Sequence, residues 1–207
     1  MQSIFESFLQ FDLSVFEWIQ GVQNEFLDVL MVGITTLGNA GAIFIVLGLS
    51  LLITKKYRKA GLAVIVALIL MLLCNDLFLK EFFARPRPFN LFETDPEKYA
   101  FWGKSYVYPE LISKPTSFSF PSGHTASAFA AAIALLWHNR KFGVTVTIFA
   151  TLMGFSRIYV EVHYCTDVIA GVVSGTICAL AAVLIVKYLF PVVDKGIDRV
   201  SGKLKKK

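Results

Sequence analysis

Long apolar runs alternate with short polar connectors along this chain. Six runs stand out, at residues 26–37, 41–54, 60–79, 126–137, 142–155 and 168–190. A helix needs about 20 apolar residues to cross a bilayer, and several of these runs are shorter. They reach spanning length only with small or mildly polar flanks, as over residues 122–137. The pattern predicts an all-α, multi-pass membrane bundle of about six transmembrane helices, most clearly for the third and last runs. Residues 1–20 differ. Ile4, Phe5, Phe8, Phe11, Val15, Trp18 and Ile19 recur at helical spacing, with Glu6, Asp12 and Glu17 between them. That spacing predicts an amphipathic helix at the membrane interface; a packed or re-entrant helix is the other reading. Nothing in the pattern divides the chain, so one domain over 1–207 is expected. It has a helix at 1–20, a long connector at 80–121 and a basic tail at 191–207.

Composition supports lipid as the solvent. Of 207 residues, 56% are hydrophobic and 17% charged, against about 25% charged in a typical soluble domain; mean hydropathy is +0.63. The net charge of +5 does not indicate nucleic acid. The basic residues gather in connectors and the tail rather than along one stripe. Lys55, Lys56, Arg58 and Lys59 follow the second run, Arg140 and Lys141 the fourth, and the lysine-rich tail the last. These three places share one side if every run crosses once, and the positive-inside rule makes that side cytoplasmic. The connector 80–121 and the segment 156–167 then face outward. The cations there need another explanation. Cys74, Cys165 and Cys178 have no metal or redox spacing, so no disulfide framework is expected. The first basic residue is Lys55, which argues against a secretory leader.

Three polar clusters fall at the outward ends. In KEFFARPRP, residues 80–88, Asp76 precedes Lys80 by one turn and can pair with it. Pro86 and Pro88 stop the helix and bias Arg85 and Arg87 toward extended backbone. In FPSGH, residues 120–124, Ser122 reads as an N-cap. The helix start supplies unpaired N–H groups that attract an anion. Gly123 permits close approach to the backbone, and His124 lies beside it. In SRIYVEVHYCTD, residues 156–167, His163 and Asp167 are four apart. On a shared helical face, the carboxylate would fix the imidazole tautomer and strengthen the other nitrogen as nucleophile or base. Arg157 suits two-bonded phosphate contact. Taken singly, each cluster also reads as an interfacial helix end. Together they describe a phosphate site with acid–base groups.

Lys80-x6-Arg87-Pro88, Pro121-Ser122-Gly123-His124 and Ser156-Arg157-x5-His163-x3-Asp167 resemble the three-part signature of the type-2 phosphatidic acid phosphatase superfamily. The flanks ARPRPF, SFPSGHTASAF and HYCTDVIAG look like its bacterial lipid-phosphatase branch. The resemblance implies that His163 attacks phosphorus to give a phosphohistidine and that Asp167 orients His163. It implies that His124 protonates the leaving oxygen and then activates water. Lys80, Arg87, Arg157, Ser122 and Gly123 would hold the phosphoryl oxygens, with no metal and no cofactor. The implied substrate is a lipid phosphate in the bilayer: undecaprenyl pyrophosphate, phosphatidylglycerol phosphate or phosphatidate. Glu161 departs from the pattern and would disfavour phosphate if it faced the pocket. Residues 89–120, with Phe92, Tyr99, Phe101, Trp102, Tyr106 and Tyr108, are expected to form a lid. Three rivals remain: a hydrolase holding metal on His124, His163 and Asp167, for which no HExxH motif is present; a lipid-phosphate binder or transporter; and a phosphotransferase on the same fold.

Overall fold

A computed structural model of the chain describes residues 2–95, 99 and 108–204. Helices α1 (Gln2–Val22), α2 (Glu25–Leu37), α3 (Ala42–Ile53) and α4 (Arg58–Met71) come first. Helix α4 continues through a π-helical stretch, Leu72–Leu79, into α5 (Lys80–Phe83). Then come α6 (Pro88–Phe92), α7 (Gly123–His138), α8 (Arg140–Tyr159) and α9 (Cys165–Leu204). No strand occurs among the described residues.

Helix α7 sits at the centre, packed by α4, α8 and α9. Its alanines at 126, 128, 130, 131, 132 and 134 are fully buried. Small side chains let helix backbones approach closely, which is how helices associate in lipid. On α9, Gly171 and Gly175 lie one turn apart against α7. A Cβ at Gly175 would come within 2.3 Å of the Ala126 carbonyl oxygen. The outward face of α9 carries exposed Ile169, Val173, Ile177, Leu180 and Leu184 at helical spacing, as a lipid-facing stripe does. At the end away from the site clusters, Arg58 is buried. It donates to the Leu52 carbonyl at 3.1 Å and to Asp194 at 2.9 Å.

The count of six spans is not confirmed. Among the described residues, three helical stretches are long and apolar enough to cross a membrane: Arg58–Phe92, Arg140–Tyr159 and Cys165–Lys195. Helices α2 and α3 add a fourth only as one span bent by 52°. The bend falls at a 3-10 turn, Asn39–Gly41, where Gly41 has φ +66°, a left-handed conformation that glycine adopts without strain. Both ends of α2 touch the last turn of α8: Tyr159 bonds Asn24 and Asp28, and Arg157 bonds Thr35. Helix α7, with 16 residues, is short for a span and largely enclosed by its neighbours.

Helix α1 is two-sided. Asp12, Phe16 and Ile19 are buried against the protein, while Phe8, Phe11 and Trp18 are exposed. It lies over the ends of α8 and α9 that carry the third cluster. The connector 80–121 is not a plain loop, because Lys80 is still helical and α6 lies within it. Of the residues expected in a lid, Phe92, Tyr99 and Tyr108 are buried; Phe101, Trp102 and Tyr106 lie outside the described residues.

Candidate active site

Each cluster is delivered by a helix end whose geometry follows from its sequence. Helix α5 stops at Phe83 because Ala84 turns left-handed at φ +46° and donates its N–H to the Lys80 carbonyl at 2.9 Å. Pro86 and Pro88 then prevent helix from resuming. Arg87 is extended, at φ −74°, ψ 159°, as the proline pattern predicts. Residues 85–87 run beside 117–119, where Ser119 N–H donates to the Arg85 carbonyl at 2.9 Å. The wider π-helical turns before Lys80 re-aim it relative to a plain α-helix. Lys80 Nζ pairs with Asp76 at 2.6 Å.

Helix α8 ends with Glu161 in the left-handed region, φ +55°, a position usually taken by glycine. The turn lets the Arg157 carbonyl accept the N–H groups of both Val162 and His163, each at 3.3 Å. The backbone of the clamp arginine thus fixes the backbone of the histidine. His163 is in this turn, ahead of α9. Its contact with Asp167 is made by the turn, not by a shared helical face as the spacing predicts. The separation is 3.4 Å from His163 Nδ1 to Asp167 Oδ2, the long end for a hydrogen bond. Asp167 also accepts from Tyr164 N–H at 3.0 Å and from Arg85 at 2.6 Å.

A polar cavity of about 470 Å³ is lined by Lys80, Arg87, Gly123, His124, Arg157 and His163, with Thr35 and Asn39. Six of the eight candidate residues therefore share one wall. Asp167 and Ser122 lie behind it, both fully buried. Ser122 does stand at the N-cap, but its hydroxyl accepts from Thr125 Oγ1 at 3.0 Å and makes no cap bond. Its N–H donates to the Asp167 carbonyl at 3.1 Å. The Ser122 backbone thus ties the start of α7 to the start of α9.

The electrostatics of the wall follow from its bonds. Arg87 donates to the carbonyls of Ser117, Val162 and Phe118 and to the Ser117 hydroxyl; its Nη1 is 3.3 Å from His163 Nε2. Arg157 Nη1 donates to Thr35 Oγ1, while its Nε has no hydrogen-bond partner among the described residues. A buried unsatisfied donor at a cavity wall calls for an acceptor. Burial first, then the charges of Arg87, Arg157 and Lys80, hold the His163 imidazole well below its usual pKa, so it is neutral. With a carboxylate on the Nδ1 side, the Nε2 lone pair is the one turned to Arg87 and the cavity. His124 Nε2 is 3.2 Å from Asn39 Oδ1. Glu161 does not line the cavity. It accepts from Gln20 of α1 at 3.1 Å, on the side away from the cavity.

A second cavity, also about 470 Å³, shares Lys80, Gly123 and His124 with the first. Its other walls are mostly apolar, including Ile45, Ile65, Leu68, Ile69 and Leu72. The two cavities, one cationic and one apolar, thus have lining residues in common at the start of α7. Sequence reasoning missed Thr35, Asn39, Arg85 and Asp12. A signal existed for Asp12. It falls at the helical spacing of the buried face of α1 that includes Phe16 and Ile19, where a carboxylate needs a buried cation.

Comparison with known proteins identifies the family. The family model described as the PAP2 superfamily matches residues 56–191. Undecaprenyl-diphosphatase BcrC of Bacillus subtilis is 33% identical over 198 residues, which cover 93% of this chain and 95% of that protein. Lipid A 4'-phosphatase of Porphyromonas gingivalis is 29% identical over 181 residues, 83% of this chain and 71% of that protein. Among solved structures, Aquifex aeolicus LpxE superposes with a TM-score of 0.65 at 29% identity, covering 82% of this chain and 93% of that one.

Proposed function

The chain belongs to the PAP2 superfamily and is a membrane phosphatase, and from that premise we propose that it hydrolyses a polyprenyl diphosphate through a phosphohistidine at His163. The observation that carries the reading is the joint at the start of α7. There a cationic cavity lined by His163 and an apolar one share Lys80, Gly123 and His124. A lipid with an anionic headgroup fits both chambers at once. The likeness to an undecaprenyl-diphosphatase over nearly the whole chain favours the diphosphate.

His163 Nε2 attacks the terminal phosphorus, and the bond from phosphorus to the bridging oxygen breaks. The polyprenyl monophosphate leaves with a proton from His124. Water then gives a proton to His124 as its oxygen attacks phosphorus. The phosphorus–nitrogen bond breaks, and inorganic phosphate departs. Asp167 balances the imidazolium character of the intermediate. Arg87, Arg157, Lys80 and the first N–H groups of α7 hold the phosphoryl oxygens, each such contact worth about 3–4 kcal/mol in the transition state. No metal takes part. The site end faces outward, and the basic connectors and tail are cytoplasmic.

The test is phosphate release in detergent from polyprenyl diphosphate, polyprenyl monophosphate, phosphatidylglycerol phosphate and phosphatidate, with and without EDTA. Turnover of the diphosphate that survives EDTA, with an acid-labile phosphoimidazole trapped on His163, is expected. His163→Ala should abolish both. Turnover lost with EDTA, or retained in His163→Ala, would overturn the mechanism. Transfer to an added alcohol in preference to water would mark a phosphotransferase instead.

A further inference from the structure

Helix α1 reaches the site through buried charge. Asp12 is fully buried. It accepts from Arg85 Nη2 at 2.9 Å, from Thr166 N–H at 3.0 Å and from Thr166 Oγ1 at 2.7 Å. The other arm of the same guanidinium, Arg85 Nη1, donates to Asp167 at 2.6 Å and to Thr166 Oγ1 at 2.8 Å. Asp167 faces His163. One rigid fork thus bridges two carboxylates, and the second of them orients the candidate nucleophile. Arg85 is itself sandwiched, 3.7 Å from the Tyr164 ring centroid and 4.5 Å from that of Phe5 on α1. Further along α1, Gln20 bonds Glu161 and Gln23 bonds the Tyr159 carbonyl. Phe16 packs edge-on against Tyr164 and Phe92. The helix therefore grips the His163 turn on both sides.

We propose that Asp12 is a positioning residue for the phosphoryl-transfer site, acting through Arg85 on Asp167, so that α1 belongs to the catalytic apparatus as well as to the membrane surface. The proposal rests on the reading of His163 as phosphoryl acceptor. Its physical content is charge balance and aim. Arg85 with two carboxylates leaves one net negative charge behind His163, matched to the imidazolium that forms on phosphorylation. With Asp12 neutral, Arg85 pulls on Asp167 alone, and the carboxylate both turns and loses strength as an acceptor.

The experiment uses the full chain in detergent with farnesyl diphosphate as probe. Wild type, Asp12→Asn, Asp12→Glu, Arg85→Lys and the Asp12→Asn/Arg85→Lys double variant are compared by kcat, KM, rate of phosphoimidazole formation and thermal midpoint. Asp12→Asn should lower kcat and the phosphoimidazole rate together by about 30-fold, with KM within about threefold, since a displacement near 1 Å costs up to about 100-fold. Asp12→Glu should recover to within about fivefold of wild type. In the Arg85→Lys background, Asp12→Asn should cost almost nothing further, because the linkage is already cut. A folded Asp12→Asn enzyme with wild-type kcat overturns the proposal. So does an Asp12→Asn loss that persists in full in the Arg85→Lys background, or a folded Asp12→Glu enzyme no better than Asp12→Asn. If Asp12→Asn does not fold, Arg85→Lys decides alone: an ammonium cannot bridge two carboxylates as a fork does, and full kcat there overturns the proposal. A wild type that turns over without phosphoimidazole overturns the function reading and this proposal with it. A trapped wild type with an unaffected Asp12→Asn overturns this one only.

Discussion

Gly123 separates activity from stability. A Cβ there would come within 2.7 Å of Asp76 Oδ1 and 3.1 Å of Lys80 Nζ. To restore an ordinary contact of 3.4 Å, the carboxylate must retreat by about 0.7 Å. Lys80, paired to it at 2.6 Å, must move too. Both are flexible side-chain ends, so this relief is cheaper than the roughly 1–3 kcal/mol of true core overpacking. Alanine also gains up to about 0.5–1 kcal/mol over glycine in a helix. These two terms offset, and Gly123→Ala should leave stability within about 1 kcal/mol of wild type. Catalysis has no such compensation. Lys80 lines the cavity, and misplacing a catalytic contact by about 1 Å costs up to about 100-fold. The expected loss in kcat is therefore about 10- to 100-fold, or 1.4 to 2.7 kcal/mol. Steady-state phosphate release and a thermal melt in the same detergent measure the two quantities. A Gly123→Ala enzyme within about threefold of wild-type kcat refutes the argument that this contact sets Lys80, because under 1 kcal/mol would then be at stake. A large fall in melting temperature would refute the claim that the flexible ends yield cheaply.

Gly175→Ala should show the opposite signature. Its Cβ would meet the Ala126 carbonyl at 2.3 Å. Backbone cannot step aside, so about 1–3 kcal/mol of stability should be lost, read as a lower melting midpoint with kcat of the surviving fold near wild type. Arg157→Gln removes a positive charge that, after burial and Arg87, helps hold the His163 pKa down. That pKa should rise, so the acid limb of kcat/KM should move to higher pH, since this ratio reports the free enzyme. A limb that stays or moves lower contradicts the assignment. Glu161→Gln should change KM less than about threefold, under 0.7 kcal/mol, because the carboxylate faces Gln20 rather than the cavity. A marked gain in affinity for the diphosphate would show that its charge is felt there.

Much of the site was legible because its chemistry is local to three helix ends. Two prolines after Phe83, a Ser-Gly-His helix start and a histidine four before an aspartate each constrain their own backbone. Their convergence then needs only that the ends of α5, α7, α8 and α9 that carry them meet. What was not legible depends on contacts between distant segments. Apolar runs do not reveal that α2 and α3 bend at Asn39–Gly41, so the count of six crossings is not confirmed there. Residues 72–79 carry no mark in the sequence of the π-helical turns that re-aim Lys80. The facing of Glu161 required knowing that Gln20 would arrive from α1.

Charge makes the distinction sharpest. The sequence shows four cations near the site, Lys80, Arg85, Arg87 and Arg157, and its reading gathers all but Arg85 into one cradle. The structure pairs them unequally. Arg85 is bound by Asp12 and Asp167, and Lys80 by Asp76. Arg87 is held by carbonyls and a hydroxyl, and Arg157 by the Thr35 hydroxyl. Neutral acceptors orient a guanidinium without cancelling its charge. Of these four, Arg87 and Arg157 therefore present net charge to the cavity, and a group with two negative charges matches them. Lys80 can be recruited when a phosphoryl oxygen competes with Asp76. Arg85 cannot, because it is the cation paired with both fully buried carboxylates among the described residues, and separating such a pair is costly. Two arginines in one short motif, two residues apart, thus do unlike work. One lines the cavity, and the other ties α1 to Asp167 behind His163.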